Sequence, residues 1–502
     1  VSDALPARTA GVLWLRIRPA IRASLSWLAP AVVVAVLFTL ALNDGGRDPQ
    51  SLAAAQVVVY ALLVVLIWTG RARPSPVGRA VLFVLATMVL TSFTSVRPEA
   101  SVRQILLWTL YVGILVIVES TVTSPQAARL LTDALVVIAG WLVLVALFMH
   151  WGAGNPGMRW YSTFYWPNPF AGFLLLVLPV ELARYLRAGT TREAAAHGAM
   201  SALLGTAFVL TYSRGAWLSL AAVLPLMVWL VRPPAWRTVL VRGVVLGVAV
   251  AAAVVALTGR PSARSTASAI ADRAVSVADP ADSSIQGRLH FWRAALAIAR
   301  DHPLLGTGPG TFGAVHPAYQ RDVRYYAADA HSLYLQTLAE SGPLGLGAVG
   351  AVAGFTVVLI RRVLHRTRGS GLYPVATGAA VALLAFGLHS GVEMDWMFPA
   401  TPALAAAWVG VLSAVDRMTG EPVAPARPGP FWRVAGAVGL SIAAVAATAG
   451  ALAHRQFVRG AALARAGKWE EASGAYGRAV RWNPLSARYL GAQAAALTQV
   501  VP

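Results

Sequence analysis

The chain has 502 residues, of which 57% are hydrophobic and 12% charged, and its mean hydropathy of +0.63 is too high for a soluble protein of this length. The formal net charge of +20 (41 basic, 21 acidic) comes almost entirely from arginines in short clusters between apolar runs, a pattern of membrane topology rather than of nucleic-acid binding. The absence of cysteine excludes disulfides, thiolate catalysis and cysteine-ligated metals.

In chain order, apolar runs long enough to cross a bilayer fall near 27–43, 52–70, 78–95, 103–119, 129–150, 168–187, 195–212, 215–231, 237–258, 342–364, 373–391, 397–416 and 431–453. The expectation is an all-α polytopic membrane protein of about 12–13 transmembrane helices. The first run follows a basic start and is expected to stay as an anchor rather than be cleaved. Basic residues recur in every second short connection: Arg8, Arg16, Arg18 and Arg22; Arg71, Arg73 and Arg79; Arg184, Arg187 and Arg192; Arg232 and Arg237; Arg361, Arg362, Arg366 and Arg368; Arg417 and Arg427. The positive-inside rule then puts the N-terminus in the cytoplasm and the C-terminus outside. The 119–129 connection fits least well, with Arg129 its one nearby cation.

Four regions follow: an N-terminal bundle over 1–258, a large extracytoplasmic loop over 259–341, further spans over 342–453 and a small extracytoplasmic segment over 454–502. Within the loop, Leu289, Trp292 and Leu296 recur at helical spacing among Arg288, Arg293 and Arg300, which predicts an amphipathic helix able to lie along the membrane surface. In the tail, Gly460, Leu463, Ala472, Tyr476, Ala479 and Pro484 occupy the small, large and proline positions of a tetratricopeptide repeat, with Ser486 to Thr498 as a partial second one. A plain amphipathic hairpin is the other reading of that tail.

Chemistry is expected on the outer side. Arg214 stands between two apolar runs with almost no loop, where a charge needs a polar cavity, a partner or a route to lipid headgroups. Arg288 and Arg159 are further arginines at that face, and arginine's planar fork suits phosphate. His331 is expected to open a helix that descends past Leu333, Leu335, Leu338 and Glu340 to a break at Gly342-Pro343. A histidine there is either a cap, an interfacial side chain or a base. Asp44 and Asp48, beside glycines in the first outer loop, read as turn residues or as a catalytic acid. Gly306-Thr-Gly-Pro-Gly-Thr-Phe312 lacks the spacing and strand-to-helix context of a nucleotide loop. No Asp-x-Asp or metal-ligand spacing occurs in the outer segments, so neither a metal nor another cofactor is expected.

Taken together and in order, Trp166-Pro-Asn-Pro-Phe-Ala-Gly172, Ser213-Arg214-Gly215, Gly287-Arg288 with Trp292, His302-Pro through Phe312, and His331 through Gly342 resemble the O-antigen ligase and polymerase superfamily. Its members transfer glycans from undecaprenyl pyrophosphate at the outer face of the bacterial cytoplasmic membrane. The resemblance covers most of 160–345 and implies inverting, metal-independent transfer, with His331 as the base, Arg214 and Arg288 holding the pyrophosphate, and Arg159, Tyr212 and Glu340 in support. Ser332 departs from the asparagine often found there. The implied partners are the lipid-linked donor, a glycan or lipid-glycan acceptor, the bilayer and, through the tail, a protein; nucleic acid is not among them. A ligase is the leading expectation; a polymerase and a protein O-oligosaccharyltransferase are its relatives, and a lipid-linked glycan flippase, or a receptor or scaffold built on the tail, are the readings from other classes.

Overall fold

The computed structural model describes residues 25–153, 158–231, 236–258, 263–276, 282–420 and 429–500, and among these every regular element is helical. Ten helices are long and apolar enough to cross a membrane: α1 (Leu25–Leu42), α2 (Pro49–Trp68), α4 (Pro98–Thr121), α5 (Pro125–Ala153), the consecutive pieces α6 (Pro167–Leu175) and α7 (Leu178–Arg187), α8 (Thr191–Leu210), α9 (Arg214–Val231), α10 (Trp236–Thr258), α14 (Leu333–Arg366) and α17 (Pro430–Arg465). Shorter apolar helices, α3 (Pro76–Ser92) and α15 (Tyr373–His389), lie among them. The run near 397–416 forms α16 (Ala400–Thr419), which stands outside the ten. It is buried along most of its length by Ala400, Ala403, Leu404, Ala407 and Trp408, and a helix enclosed by protein can be built from small residues rather than lipid-like ones. The chain is thus a multi-pass membrane protein. Arg8, Arg16, Arg18, Arg22, Arg232 and Arg427, on which part of the topology reading rests, lie outside the described residues.

The core is helix on helix: α2 packs on α17, α4 on α16, α3 on α14, and α15 on both α7 and α9. The α6–α7 pair is almost wholly enclosed, whereas α10 and α17 present most of their surface outward. The break between α6 and α7 follows from Pro179, which has no N–H to donate to the carbonyl four residues back. α11 (Ala263–Val275), α12 (Ser283–Asp301) and α13 (Phe312–Tyr319) make up the connection between α10 and α14, and the expected amphipathic run lies within α12. After α17 the chain forms a hairpin, α18 (Trp469–Trp482) and α19 (Ala487–Leu497), held by Phe457, Tyr476 and Tyr489. Asn483 donates to Glu99 at the start of α4, 3.3 Å away, so the hairpin docks on one end of the bundle.

Hydrogen bonds between elements gather at that same end. Val96 N–H donates to the Thr307 carbonyl at 3.0 Å, Trp160 N–H to Leu210 at 2.9 Å and Leu333 N–H to Ser390 at 2.8 Å, while the Ser101 hydroxyl donates to Pro309 at 2.8 Å. Asp48 caps α2 by accepting from Ser51 N–H at 2.8 Å, and Asp44 sits in a one-turn 3-10 segment at φ +54°, so both occupy turn positions.

His331 does not open a helix. It stands ahead of α14 at φ +51°, and Ser332 takes the capping role, its hydroxyl accepting from Leu335 N–H. Further along, Gly342 adopts φ +64°, ψ −168°, a conformation open almost only to glycine. The break it makes aims the first two turns of α14 at the loop before α13. A methyl at this position would come within 2.2 Å of the Leu304 carbonyl oxygen. Gly342→Ala is therefore expected to cost about 2–3 kcal/mol, whereas Gly347→Ala, whose methyl meets open space, should stay within about 0.5 kcal/mol. Thermal unfolding of the purified variants in detergent separates the two outcomes.

Candidate active site

Glu393 lies in the short connection between α15 and α16, its side chain only 1% exposed. Three groups from three distant segments hold it. Arg288 Nη2 donates to Oε2 at 2.5 Å, Asn168 Nδ2 donates to the same oxygen at 2.6 Å, and His331 Nδ1 lies 2.9 Å from Oε1. Burial works to raise the Glu393 pKa, but the Arg288 charge, and then the hydrogen bond and charge of His331, outweigh it and hold the carboxyl well below the usual carboxylate range. An ionised carboxylate can only accept. His331 Nδ1 is therefore the donor to Glu393, and in the neutral ring this leaves the lone pair on Nε2.

α12 supplies two supports one turn apart. Arg288 reaches Glu393 and also donates through Nε to the Val392 carbonyl at 2.8 Å. Phe291 stacks on the His331 ring with centroids 5.5 Å apart and planes 19° from parallel. These contacts offset the backbone strain of a non-glycine residue at positive φ, of the order of 1 kcal/mol. A second histidine–carboxylate pair, His389 Nδ1 to Asp395 Oδ2 at 2.6 Å, is fully buried at the two ends of the same loop. Asp395 packs against α6 at Gly172, where an added methyl would fall 2.4 Å from its carboxylate. That close approach explains the glycine in the Trp166–Gly172 stretch.

Beside Glu393 opens a cavity of about 310 Å³ lined by Arg159, Arg214, Arg273 and Arg288, with Trp292 and Leu289 among its apolar walls. Arg214, at the first position of α9, makes a two-pronged pair with Asp282, both contacts 2.8 Å. Asp282 in turn caps α12, and Arg214 holds its carboxyl down at about 2. Arg159 donates to the Thr211 carbonyl at 2.8 Å and to Asn168 Oδ1 at 2.6 Å, and Arg273 to the Tyr212 carbonyl at 3.4 Å. Burial, and after it the charge of Arg273, brings Arg159 down to about 10, with Arg214 and Arg288 adding to the fall and Glu393 opposing it. Arg273 is lowered by burial and by Arg214. Four guanidinium groups line this cavity, two of them paired with carboxylates behind it, Arg214 with Asp282 and Arg288 with Glu393, and like charges this close disfavour one another. An anion in the cavity would relieve that repulsion.

The expected residues divide into two groups. Arg159, Arg288 and His331 come together through Asn168 and Glu393, and Arg214, held by Asp282, joins them in the lining of the cavity. Tyr212 belongs through its backbone: its carbonyl accepts from Arg159 and Arg273, while its ring lies 6.0 Å from that of Trp217. Glu340 stands apart from the arginine cavity. Its carboxylate accepts from Gly310 N–H at 2.7 Å and Phe312 N–H at 2.9 Å, so the glycine-rich turn binds the chain's own acid. Gln336 donates to Glu340 at 3.1 Å and accepts from Ala330 N–H at 3.2 Å, which ties Glu340 to the segment that carries His331.

Arg273, Asp282, Asn168 and Glu393 were not singled out by sequence reasoning. Glu393 carried the same signal as Arg214, a charge in a very short connection between apolar runs. Asn168 lay inside a stretch already noted, and Asp282-Ser-Ser before an amphipathic run is a helix-cap pattern.

Residues 199–350 match the family model described as O-Antigen ligase. The match contains Arg214, Arg273, Asp282, Arg288 and His331; Arg159 and Asn168 precede it and Glu393 follows it. It supports an enzyme of the ligase or polymerase type of membrane glycosyltransferase. No curated protein matches the chain.

Carboxylates held below their ordinary pKa stabilise the fold above their unfolded-state value and lose that contribution as pH falls through the native one. For Asp282 the window runs from about 4 down to about 2, and Glu393 loses its contribution in the same downward direction. The melting temperature of the wild type should therefore fall on acidification from about pH 5 to pH 3. Asp282→Asn and Glu393→Gln should start lower at neutral pH and decline less steeply. A wild-type melting temperature that rises over this interval would contradict the assignment.

Proposed function

We propose that the chain is an inverting glycosyltransferase that moves a glycan from undecaprenyl pyrophosphate to an acceptor hydroxyl at the outer face of the cytoplasmic membrane. The observation that carries this reading is the placement of a histidine–carboxylate pair beside a cavity walled by four arginines. His331 Nε2 takes the proton from the acceptor hydroxyl, whose oxygen attacks the anomeric carbon on the face opposite the leaving group. The bond from that carbon to the pyrophosphate oxygen breaks, and its electron pair leaves with undecaprenyl pyrophosphate. Glu393 holds the imidazole in the required tautomer and stabilises the imidazolium that forms. The arginines meet the charge that builds on the departing pyrophosphate, in a cavity where fixed donors act more strongly than in bulk water.

This division of labour assigns to guanidinium groups the role that a divalent metal plays in other pyrophosphate enzymes, so transfer is expected to be metal-independent. The acceptor is proposed to be lipid-anchored, as in a ligase. An apolar cleft of about 440 Å³ runs between α3, α4, α14, α15 and α16 up to Leu333, Ser390 and Trp396. It meets the 390–396 loop that carries Glu393, as the arginine cavity does at Val392. A lipid chain in the cleft would deliver a headgroup hydroxyl toward His331, an arrangement that a protein acceptor does not need. The α18–α19 hairpin, at the same end of the bundle, is proposed to recruit an acceptor or partner.

The test is transfer by the purified full-length protein from an undecaprenyl-pyrophosphate glycan, offered a lipid-linked glycan core, a serine-containing polypeptide or no second acceptor. Product on the lipid-linked core supports the ligase reading. Lengthening on donor alone would replace it with a polymerase, and product on the polypeptide with a protein glycosyltransferase. Arg288→Ala and Arg214→Ala should each lower kcat/KM for the donor by about 10²–10³-fold. Excess EDTA should leave the wild-type rate unchanged; loss of activity restored by magnesium or manganese would overturn the arginine-based mechanism.

A further inference from the structure

The proposed transfer leaves a buried titratable pair unused, at the root of the loop that carries Glu393. His389 is the last residue of α15, and Asp395 opens the one-turn 3-10 segment before α16. Both side chains are wholly buried, and His389 Nδ1 lies 2.6 Å from Asp395 Oδ2. Beside that contact Trp396 Nε1 donates to the Ser390 hydroxyl at 3.0 Å. Two side-chain bonds thus close the base of the short loop 390–394. Ends held at hydrogen-bond distance leave so short a segment few backbone conformations.

The conformation that results is the one the site uses. The Ser390 carbonyl accepts from Leu333 N–H at 2.8 Å, which holds the start of α14 just after His331. The Val392 carbonyl accepts from Arg288 Nε at 2.8 Å. Glu393, next in the chain, takes Arg288, Asn168 and His331 on its two oxygens. Every one of these contacts departs from the segment that the His389–Asp395 bond closes.

The packing around the pair is a second, independent observation. Asp395 lies against Gly172 of α6, where an added methyl would fall 2.4 Å from Oδ1. The His389 ring lies against Gly215 of α9, where a methyl would come within 3.4 Å of Cδ2 and Nε2 and within 3.3 Å of Val392. Both glycines stand inside helices, so close approach rather than backbone freedom calls for them. Gly172 lies one turn after Asn168, and Gly215 directly follows Arg214. The pair is therefore wedged between the two helices that bring Asn168 and Arg214 to the site. His389 Nε2 and Asp395 Oδ1 make no hydrogen bond, so the bond between the two side chains is what offsets their burial.

We propose that His389 and Asp395 are positioning residues for the active site. Their bond sets the 390–394 loop so that its carbonyls hold Arg288 and the start of α14 where Glu393 meets both Arg288 and His331. Neither residue touches the transferred group; the pair acts through Glu393. The assignment rests on the reading of His331 as the base.

The experiment combines glycan transfer by the full-length protein, from an undecaprenyl-pyrophosphate donor, with backbone amide hydrogen exchange. His389→Leu should lower kcat about 10²-fold, yet add little once Glu393→Gln is present, because both changes act through one group. Donor KM should change little, since Arg214 is held by Asp282 and Arg273 by the Tyr212 carbonyl. His389→Asn, whose side-chain amide stands where Nδ1 does, should recover most of the rate. Amide exchange in His389→Leu should quicken over 328–337 and 390–398 and stay unchanged in the α18–α19 hairpin. Should the unpaired Asp395 keep His389→Leu from folding, His389→Leu/Asp395→Leu removes both partners, keeps the branching of the aspartate and is read in the same way. If the wild type transfers no glycan, the functional reading falls and amide exchange alone decides the role of the pair. Losses that multiply with Glu393→Gln, a His389→Asn protein as slow as His389→Leu, or unchanged exchange over 328–337 would each overturn the proposal.

Discussion

A buried carboxylate that draws side chains from three distant segments organises the candidate site. Glu393 gathers Arg288 from α12, Asn168 from α6 and His331 from the lead-in to α14 onto two oxygens. An ionised group is expensive to bury unless charge and hydrogen bonds compensate it. Here both do, and two of the compensating groups, Arg288 and His331, are also ones the proposed chemistry would use. Removing the carboxylate would leave Arg288 facing Arg159, Arg214 and Arg273 with one fewer negative charge between them. The same contact orients the His331 imidazole, links it to the arginine-lined cavity and, in the neutral ring, leaves Nε2 available for the proposed base role.

Backbone geometry then decides where the imidazole can stand. Within α14 it would follow the helix face. Outside it, at positive φ and with Ser332 as the cap, it turns to Glu393 and lies under Phe291. The segment is held from below by Gln336 and Glu340, and Glu340 in turn fastens the glycine-rich turn before α13. Loop, turn and helix start are thus one hydrogen-bonded unit anchored in the bundle, which holds the proposed base in place.

Much of this was legible in the chain. Hydropathy and arginine spacing pointed to an all-helical membrane protein, and Arg214 stood out because charge between two joined apolar runs demands a reason. What resisted reading was long-range. Glu393 is distant in sequence from both His331 and Asn168, and no local pattern announces that a two-helix connection will close over the start of another helix. Glu340 lies at one remove: the helix from Leu333 carries it down to the glycine-rich turn, and Gln336 ties it to the segment that carries His331. Each apolar run counted in the sequence is a helix in the structure: ten are long and apolar enough to cross a membrane by themselves, α3 and α15 are shorter, and α16 is built for a protein interior. The tail's repeat-like spacing yields a helical hairpin packed through Phe457, Tyr476 and Tyr489, a geometry that many helical pairs share.

The central claim is that His331 and Glu393 work as one unit, and a double-mutant cycle on the rate of glycan transfer tests it most directly. His331→Ala should reduce turnover by about 10²–10⁴-fold, Glu393→Gln should reduce it by less, and the combined variant should be no slower than His331→Ala alone, because groups that act together are not additive. A combined loss equal to the product of the two single losses would mean that the carboxylate and the imidazole act separately, and the account of the site would have to be rebuilt around another base.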